Sequence, residues 1–169
     1  IDGHRHTVCL SSQSGCALDC SFCATGKLGF GRNLSTGEIV DQLIFVRGNI
    51  DQSVTNVVFM GMGEPFHNYK NVLNAADIFH SPKGFNLAST RITISTAGLL
   101  PQIKQFIKEK RRYKLAISLN AADDRVRNNI MPVNKKWSIA ELIKAGKEYS
   151  NQKKRQIMFE YVLLKGIND

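Results

Sequence analysis

The sequence of 169 residues lacks the segments that direct a chain into or across a membrane. No run of about 18 apolar residues occurs, and no charged, apolar and small-residue leader is present, so we predict neither a membrane span nor export. A cytoplasmic location is the default expectation. Acidic residues are also few, because 14 Asp and Glu stand against 23 Lys and Arg for a net charge of +9. This balance favours a polyanionic partner such as nucleic acid.

Cysteine is absent outside one stretch, since all four cysteines lie between Cys9 and Cys23. Disulfide-stabilised secreted proteins distribute their cysteines so that distant segments are cross-linked, and this cluster cross-links nothing distant. A structural zinc site needs four ligands, usually from two separated pairs, and the sequence has no second pair.

Three of these residues, Cys16, Cys20 and Cys23, form a C-x3-C-x2-C pattern with Phe22 before the last cysteine. A [4Fe-4S] cluster held by three thiolates leaves one iron without a protein ligand, and that iron can bind a small molecule. The pattern therefore predicts a cluster that takes part in chemistry. Zinc, a disulfide pair and buried structural thiols are the alternatives.

Strand-like and helix-like segments alternate along the chain. Apolar runs rich in β-branched residues predict five strands, over 7–10, 55–61, 91–98, 114–121 and 157–164. Between them we predict helices that begin at two capping boxes, Ser35-x-x-Glu38 and Ser138-x-x-Glu141, at a cap formed by Asn68, and near Pro101. Gly48 is expected to end the first helix. This alternation predicts an α/β fold with a parallel sheet covered by helices.

Ligands of such folds bind at the carboxyl ends of the strands. The unusual motifs follow predicted strands, namely the cysteine loop, Gly61-Met62-Gly63-Glu64-Pro65, Ser95-Thr96-Ala97-Gly98 and Ser118-Leu119-Asn120. Glycines allow a ligand to approach the backbone, Glu64 can accept from an ammonium group, and the serines and Asn120 can bind a carboxylate or a ribose. We therefore predict one pocket at this rim. The alternative is that the glycine-rich motif is only a tight turn.

Five motifs in order resemble a known family: C-L-S-S-Q-S-G-C-A-L-D-C-S-F-C-A-T-G, F-M-G-M-G-E-P, I-T-I-S-T-A-G, A-I-S-L-N-A and M-P-V-N-K-K-W. They are similar to those of radical S-adenosylmethionine enzymes that methylate carbon 2 of adenine in 23S ribosomal RNA and transfer RNA. The resemblance implies a partial (β/α) barrel with its helices outside and a [4Fe-4S] cluster on the three cysteines. It also implies S-adenosylmethionine bound by Gly63, Glu64, Ser95, Ser118, Leu119 and Asn120, with Glu64 on its amino group.

The resemblance further implies a reaction through a methyl-carrying cysteine, from which a deoxyadenosyl radical abstracts hydrogen before the carbon adds to adenine. Cys9 matches the second catalytic cysteine of the family, which resolves the protein–RNA crosslink through a transient disulfide. No cysteine follows Cys23, the family's N-terminal domain and general base have no counterpart, and Asn120 replaces a frequent histidine. We expect residues 1–169 to be an incomplete radical S-adenosylmethionine core that cannot methylate RNA alone.

Partners implied by the resemblance are ribosomal and transfer RNA and an external electron donor such as a flavodoxin-like protein, and we expect a monomer. Basic residues predicted to contact phosphates are Lys27, Arg32, Arg125, Arg127, Lys135 and Lys136. Two other functions remain open. The first is a non-catalytic iron–sulfur or zinc module that binds RNA or senses redox state. The second is a radical enzyme with a different substrate.

Overall fold

The computed structural model describes residues 5–169, and of Lys153 only the backbone. Its helices and strands, which short 3-10 turns supplement, are β1 (Thr7–Cys9), β2 (Gln13–Gly15), α1 (Ala24–Lys27), β3 (Phe30–Asn33), α2 (Thr36–Asn49), β4 (Asn56–Phe59), α3 (Tyr69–His80), β5 (Ile92–Thr96), α4 (Leu100–Lys108), β6 (Lys114–Ser118), α5 (Asp124–Ile130), α6 (Ile139–Lys153) and β7 (Met158–Glu160).

Five strands form one parallel sheet in the order β1-β4-β5-β6-β7. The predicted α/β fold with parallel strands and surrounding helices is therefore confirmed. None of the helices described is both long enough and apolar enough to cross a membrane.

The two capping boxes form as predicted. Ser35 Oγ accepts from the backbone N–H of Glu38 at 3.2 Å, and the Glu38 carboxylate accepts in return from the N–H of Ser35 at 2.8 Å. Ser138 and Glu141 make the same reciprocal pair at the start of α6. Pro101 lies in the first turn of α4, where its missing N–H costs no helical hydrogen bond. Local sequence therefore determines where these three helices begin.

Two predicted helix boundaries differ from the structure. Asn68 does not cap α3 with its side chain; its amide donates instead to the carbonyl oxygens of Ser12 and Leu34, at 2.8 and 2.7 Å. Tertiary contacts have taken the side chain away from the helix end. Gly48 does not end α2, which continues to Asn49.

The two faces of the sheet have different chemistry. One face is mainly apolar and packs against helices, with Val57, Phe59, Ile92, Ile94 and Ile117 all at 0% exposure. Side chains alternate along a strand, so the residues between these positions point to the other face. That face carries smaller and more polar groups, which include Thr93, Ser95, Ser118 and Glu160. The helix-covered face holds the hydrophobic core, and the other face meets a cavity at its carboxyl end, where Ser95, Ser118 and Glu160 lie.

The strands end earlier than predicted because the chain turns sharply after them. Gly63, Gly98 and Asn120 have φ angles of 95°, 113° and 57°, which break the extended conformation. The last strand ends at Glu160, so residues 161–164 do not extend it. These turns build the rim at the carboxyl ends of the strands.

A small antiparallel pair, β2 with β3, was not predicted. It closes the loop that contains the three clustered cysteines, and the N–H of Cys16 donates to the carbonyl of Gly29 at 2.9 Å across the base. Gly15 has a φ of 82°, and a side chain there would collide with that same carbonyl oxygen. Each strand has only three or four residues with no clear alternation, so the sequence carries little strand signal.

Candidate active site

A cavity of about 200 Å³ lies at the carboxyl ends of the strands. Predicted site residues from four separate segments line it together: Cys16, Cys20, Cys23, Gly63, Glu64, Ser95, Ser118 and Asn120. Leu119 does not line the cavity. Its N–H donates to the carbonyl of Glu160 at 3.0 Å and its carbonyl accepts from Arg127 Nε at 2.8 Å. The rim predicted from strand ends is therefore one pocket in three dimensions.

The S-S-Q stretch before the cysteine loop holds the glycine-rich turn in place. The N–H groups of Ser12 and Gln13 both donate to the carbonyl of Met62, at 2.9 and 3.1 Å. Gln13 Oε1 accepts from the N–H of Glu64 at 2.8 Å. A Cβ on Gly63 would overlap the Gln13 side chain, so this close approach requires glycine. These contacts join the segment before the cysteines to the turn after β4.

The cysteine loop is anchored through its backbone. The N–H of Cys23 donates to the carbonyl of Cys20 at 3.0 Å, and the N–H of Ser21 donates to Ile130 at the end of α5 at 2.9 Å. All four cysteines are free thiols, so the structure contains no disulfide among them. Burial raises the pKa of Cys16, and it raises the pKa of Cys20 to about 12 with help from the neighbouring thiols and Glu64. These two thiols are therefore protonated near neutral pH, and binding a metal must release protons.

The donor set of the site favours a cluster over a single ion. Within residues 5–169, no three His, Cys, Asp or Glu side chains converge closely enough to hold one metal ion. The three thiols are instead arranged along the wall of one cavity. Zinc draws its thiolates to within about 2.3 Å of a single centre, whereas a four-iron cluster binds each thiolate to a different iron. The donor set, three cysteines without a fourth, fits a cluster with one open iron.

Glu64 connects two parts of the rim. It is 3% exposed, and its carboxylate accepts from the N–H of Phe66 at 2.9 Å and from the N–H of Ala97 at 2.7 Å. Burial raises its pKa to about 7, although these backbone hydrogen bonds oppose the shift. The carboxylate thus joins the turn after β4 to the turn after β5, and both oxygens already have a protein donor.

Glu160 is a site residue that sequence reasoning missed. Its Oε2 accepts from Ser95 Oγ at 2.8 Å and from Ser118 Oγ at 2.7 Å, and all three residues line the cavity. Because both hydroxyl hydrogens point to Glu160, this acceptor triad presents mainly oxygen lone pairs to a ligand. It suits a ligand that donates hydrogen bonds, such as a ribose, better than a carboxylate. The available signal was a single acid inside the apolar strand M-F-E-Y-V.

Asn120 lines the cavity but its amide is bonded to the protein. Its Oδ1 accepts from the N–H of Val162 at 3.0 Å, and its Nδ2 lies 3.4 Å from the sulfur of Met131. The side chain is 2% exposed. Asn120 therefore holds the segment after β7 against the rim.

Cys9 does not line this cavity but lies at the same rim. It is the last residue of the edge strand β1 and pairs in register with Val58 of β4. It is exposed and lines a second cavity, of about 480 Å³, with residues of α2 that include Gln42 and Phe45. Partial burial raises its pKa, and the charge of Glu160, a residue of the first cavity, adds to the shift. The structure therefore places Cys9 beside the cavity but not in the wall formed by the other three thiols.

The predicted phosphate contacts fall into three groups. Lys27, Arg125, Lys135 and Lys136 are exposed, as a surface contact requires. Arg32 is exposed but forms an ion pair with Glu38 at 2.6 Å. The prediction for Arg127 is wrong, because its side chain is 0% exposed and donates to protein carbonyl groups. Its position on a short polar helix gave no indication of burial.

Comparison with known proteins places the chain among radical S-adenosylmethionine proteins. The sequence model described as the Radical SAM superfamily matches residues 10–169. A "Probable dual-specificity RNA methyltransferase RlmN" of Leptospira interrogans is 53% identical over 99% of this chain and 47% of its own length. The chain spans about half the length of the curated relatives it matches.

Solved structures give the same picture. A radical SAM methyltransferase from Sphaerobacter thermophilus superimposes with a TM-score of 0.94 and 44% identity, over 100% of this chain and 50% of that one. SuiB of Streptococcus suis, solved with S-adenosylmethionine bound, superimposes with a TM-score of 0.68 over 95% of this chain and 35% of its own. At 18% identity the second match concerns the fold alone.

Proposed function

The chain belongs to the radical SAM superfamily, and on that premise we propose that it forms the cofactor-binding core of an adenine-C2 RNA methyltransferase. Cys16, Cys20 and Cys23 would hold a [4Fe-4S] cluster, and the adjoining cavity would hold S-adenosylmethionine. One observation carries the proposal: the three thiols, the glycine-rich turn and the strand-end serines line the same cavity. When bound, the two cofactors supply a deoxyadenosyl radical, which is chemistry that protein side chains cannot perform.

The residues around the cavity would position the nucleotide cofactor. The acceptor triad of Ser95, Ser118 and Glu160 suits the hydroxyl groups of the ribose. Gly63 leaves its backbone open to a ligand. Glu64 can accept from the ammonium group of the methionine end through its remaining lone pairs, while it keeps its bonds to Phe66 and Ala97. Asn120 would contribute by shaping the cavity wall, because its side-chain amide is already bonded to the protein.

The RNA substrate is the second part of the proposal. Relatives are named dual-specificity RNA methyltransferases, so ribosomal and transfer RNA are the proposed substrates. Exposed Lys27, Arg125, Lys135 and Lys136 are proposed to contact phosphates. The target base must leave its stack to reach the cavity. A cytoplasmic location, an external one-electron donor and a monomeric state complete the proposal.

Cys9 keeps its proposed role as the second catalytic thiol. It is exposed on the edge of the sheet, where another segment of a longer protein has access to it. Because Cys9 ends β1, it lies at the same carboxyl rim as the cavity, where a bound substrate would come close to it.

The test is anaerobic reconstitution with iron and sulfide, followed by addition of dithionite and S-adenosylmethionine. We expect bound iron and sulfide, a visible cluster absorbance and production of 5′-deoxyadenosine. Cys16→Ala should lose the cluster and the product, whereas Cys9→Ala should keep both. A chain that binds a cluster but neither binds nor cleaves S-adenosylmethionine would instead support the non-catalytic module. Product formed by Cys16→Ala would contradict the proposed ligand set.

A further inference from the structure

Arg127 is the largest fully buried side chain of the described residues, at 0% exposure. Its Nε donates to the carbonyl of Leu119 at 2.8 Å and its Nη1 donates to Asn134 Oδ1 at 2.8 Å. Its Nη2 donates to the carbonyls of Ala97 and Ser118, at 2.6 and 3.0 Å. The guanidinium thus joins the ends of β5 and β6 directly beneath the rim of the cavity.

All four of these acceptors are neutral. Between residues 5 and 169, the ion pairs found involve Arg32 and Arg111, and none involves Arg127. Asp124 lies on the same helix, but its Oδ1 already accepts from the N–H of Ile139 and from Asn134 Nδ2, each at 2.9 Å. Burying a charge costs several kcal/mol unless a charge of opposite sign compensates it. The protein alone does not provide a direct counter-ion for this cation.

The cysteine loop lies against the helix that carries Arg127. The N–H of Ser21 donates to Ile130 at the end of α5, and the next residue, Met131, lines the cavity together with Cys20. Met131 in turn donates its N–H to the carbonyl of Arg127 at 2.7 Å. On its other side, Arg127 Nη2 donates to the carbonyl of Ala97, a residue that lines the same cavity as Cys20. The buried cation therefore lies directly behind the wall that carries the thiols.

We infer that Arg127 is the internal counter-cation of the thiolate-bound cluster and also a positioning residue for the rim of the cavity. The inference rests on the proposed function in one respect, namely that Cys16, Cys20 and Cys23 hold a cluster. Three thiolates make such a cluster anionic, and reduction adds one more negative charge. A nearby fixed cation stabilises the reduced form more than the oxidised form, so it raises the reduction potential.

The test separates the charge of Arg127 from its hydrogen bonds. In Arg127→Gln the charge is lost, and we expect the equilibrium constant for one-electron reduction to fall about tenfold, which is about 59 mV. Arg127→Lys keeps the charge but not the planar fork. It should change the potential less than threefold in the equilibrium constant, yet weaken S-adenosylmethionine binding about tenfold because the rim loses its anchor. Midpoint potentials come from redox titration followed by electron paramagnetic resonance, and affinities from calorimetry.

Two further variants make the result decisive. Arg91→Gln removes an exposed arginine at the opposite end of the sheet and should leave both quantities unchanged. Arg127→Met also removes the charge, and an apolar side chain of similar length suits this buried position. It should lower the potential as Arg127→Gln does, so the inference stays testable even if Arg127→Gln does not fold.

Several results would overturn the inference. A fall in potential as large in Arg127→Lys as in Arg127→Gln would exclude a role for the charge. An unchanged potential in a folded Arg127→Met would do the same. Failure of the wild-type chain to take up iron would refute the proposed function, whereas normal uptake with unchanged potentials would refute only the role of Arg127.

Discussion

The two faces of the parallel sheet are built from the same strands, but one packs into the hydrophobic core and the other leads to the cavity. On the helix-covered face, Val57, Phe59, Ile94 and Ile117 have no exposure and pack into one apolar core. On the other face, small and polar residues such as Ser95 lead up to the cavity. Because successive side chains of a strand point to opposite faces, one strand can contribute apolar residues to the core and polar residues to the cavity. Substitutions on the first face should affect folding, and those on the second should affect ligand binding.

The largest effect is expected where the second face meets the cysteine loop. Cys20→Ala should abolish cluster binding, because two thiolates cannot hold the cube. The far-ultraviolet circular dichroism should stay unchanged, because Cys20 is only partly buried and makes no disulfide. Iron and sulfide analysis after reconstitution measures the loss, with Cys9→Ala as the matched control. Cluster binding by Cys20→Ala would mean that another residue is the third ligand.

The helix-covered face should give the largest loss of stability. Phe59 is 0% exposed and contacts Phe79 with ring centroids 6.2 Å apart. Phe59→Ala should lower the free energy of unfolding by about 3–5 kcal/mol. Met60, the next residue, lines the cavity together with Phe59 but is 40% exposed, so Met60→Ala should change the free energy of unfolding by less than about 0.5 kcal/mol. Urea denaturation of both variants measures the contrast, and equal losses would contradict the assignment of Phe59 to the core.

Glu64 offers a test through pH, because burial raises its pKa to about 7 from the usual 4.5. Between these two values the unfolded chain has already released the proton that the folded protein still holds. The free energy of unfolding should therefore fall as the pH rises from about 4.5 to about 7, by on the order of 1–3 kcal/mol. Glu64→Gln should flatten this dependence. If the free energy of unfolding of Glu64→Gln still falls over this pH range, the pH dependence must come from another titratable group.

The smallest effect is expected from the acceptor triad. Glu160→Gln keeps the shape of the side chain but weakens its hold on Ser95 and Ser118. We expect S-adenosylmethionine to bind about tenfold more weakly, or about 1.4 kcal/mol, with unfolding changed by less than about 0.5 kcal/mol. Glu148→Gln, at an exposed position of α6, serves as the control. If Glu160→Gln lowered the free energy of unfolding but left the affinity for S-adenosylmethionine unchanged, Glu160 would have a structural role and not a binding role.

Much of the fold follows from local pattern. The apolar runs predicted all five parallel strands, and two reciprocal capping boxes predicted the starts of α2 and α6. The Asn68 cap was wrong because a long-range partner, Ser12, competes for the same amide. The hairpin of β2 and β3 was missed because its strands are too short to show a period. Errors therefore occurred where contacts between distant residues outweigh local preference.

The candidate site divides in the same way. The cysteine spacing and the strand-end motifs identified eight residues that line the cavity, and the structure shows that Leu119 and Cys9 do not. Glu160 was missed because its role depends on the register of β6 with β7, which places it opposite Ser118. Register between parallel strands is not encoded in either strand alone.

The order of strands, loops and thiols along the chain was determined by the sequence alone, because periodicity, glycine positions and cysteine spacing act within a few residues. Whether a charged residue meets water or protein was decided only by the tertiary structure. Arg125 and Arg127 stand two positions apart on one short helix, yet the first is exposed and the second is buried beneath the rim. The physical reason is that burial depends on what packs against a side chain, and the groups that surround Arg127 come from β5, β6 and the turn after α5.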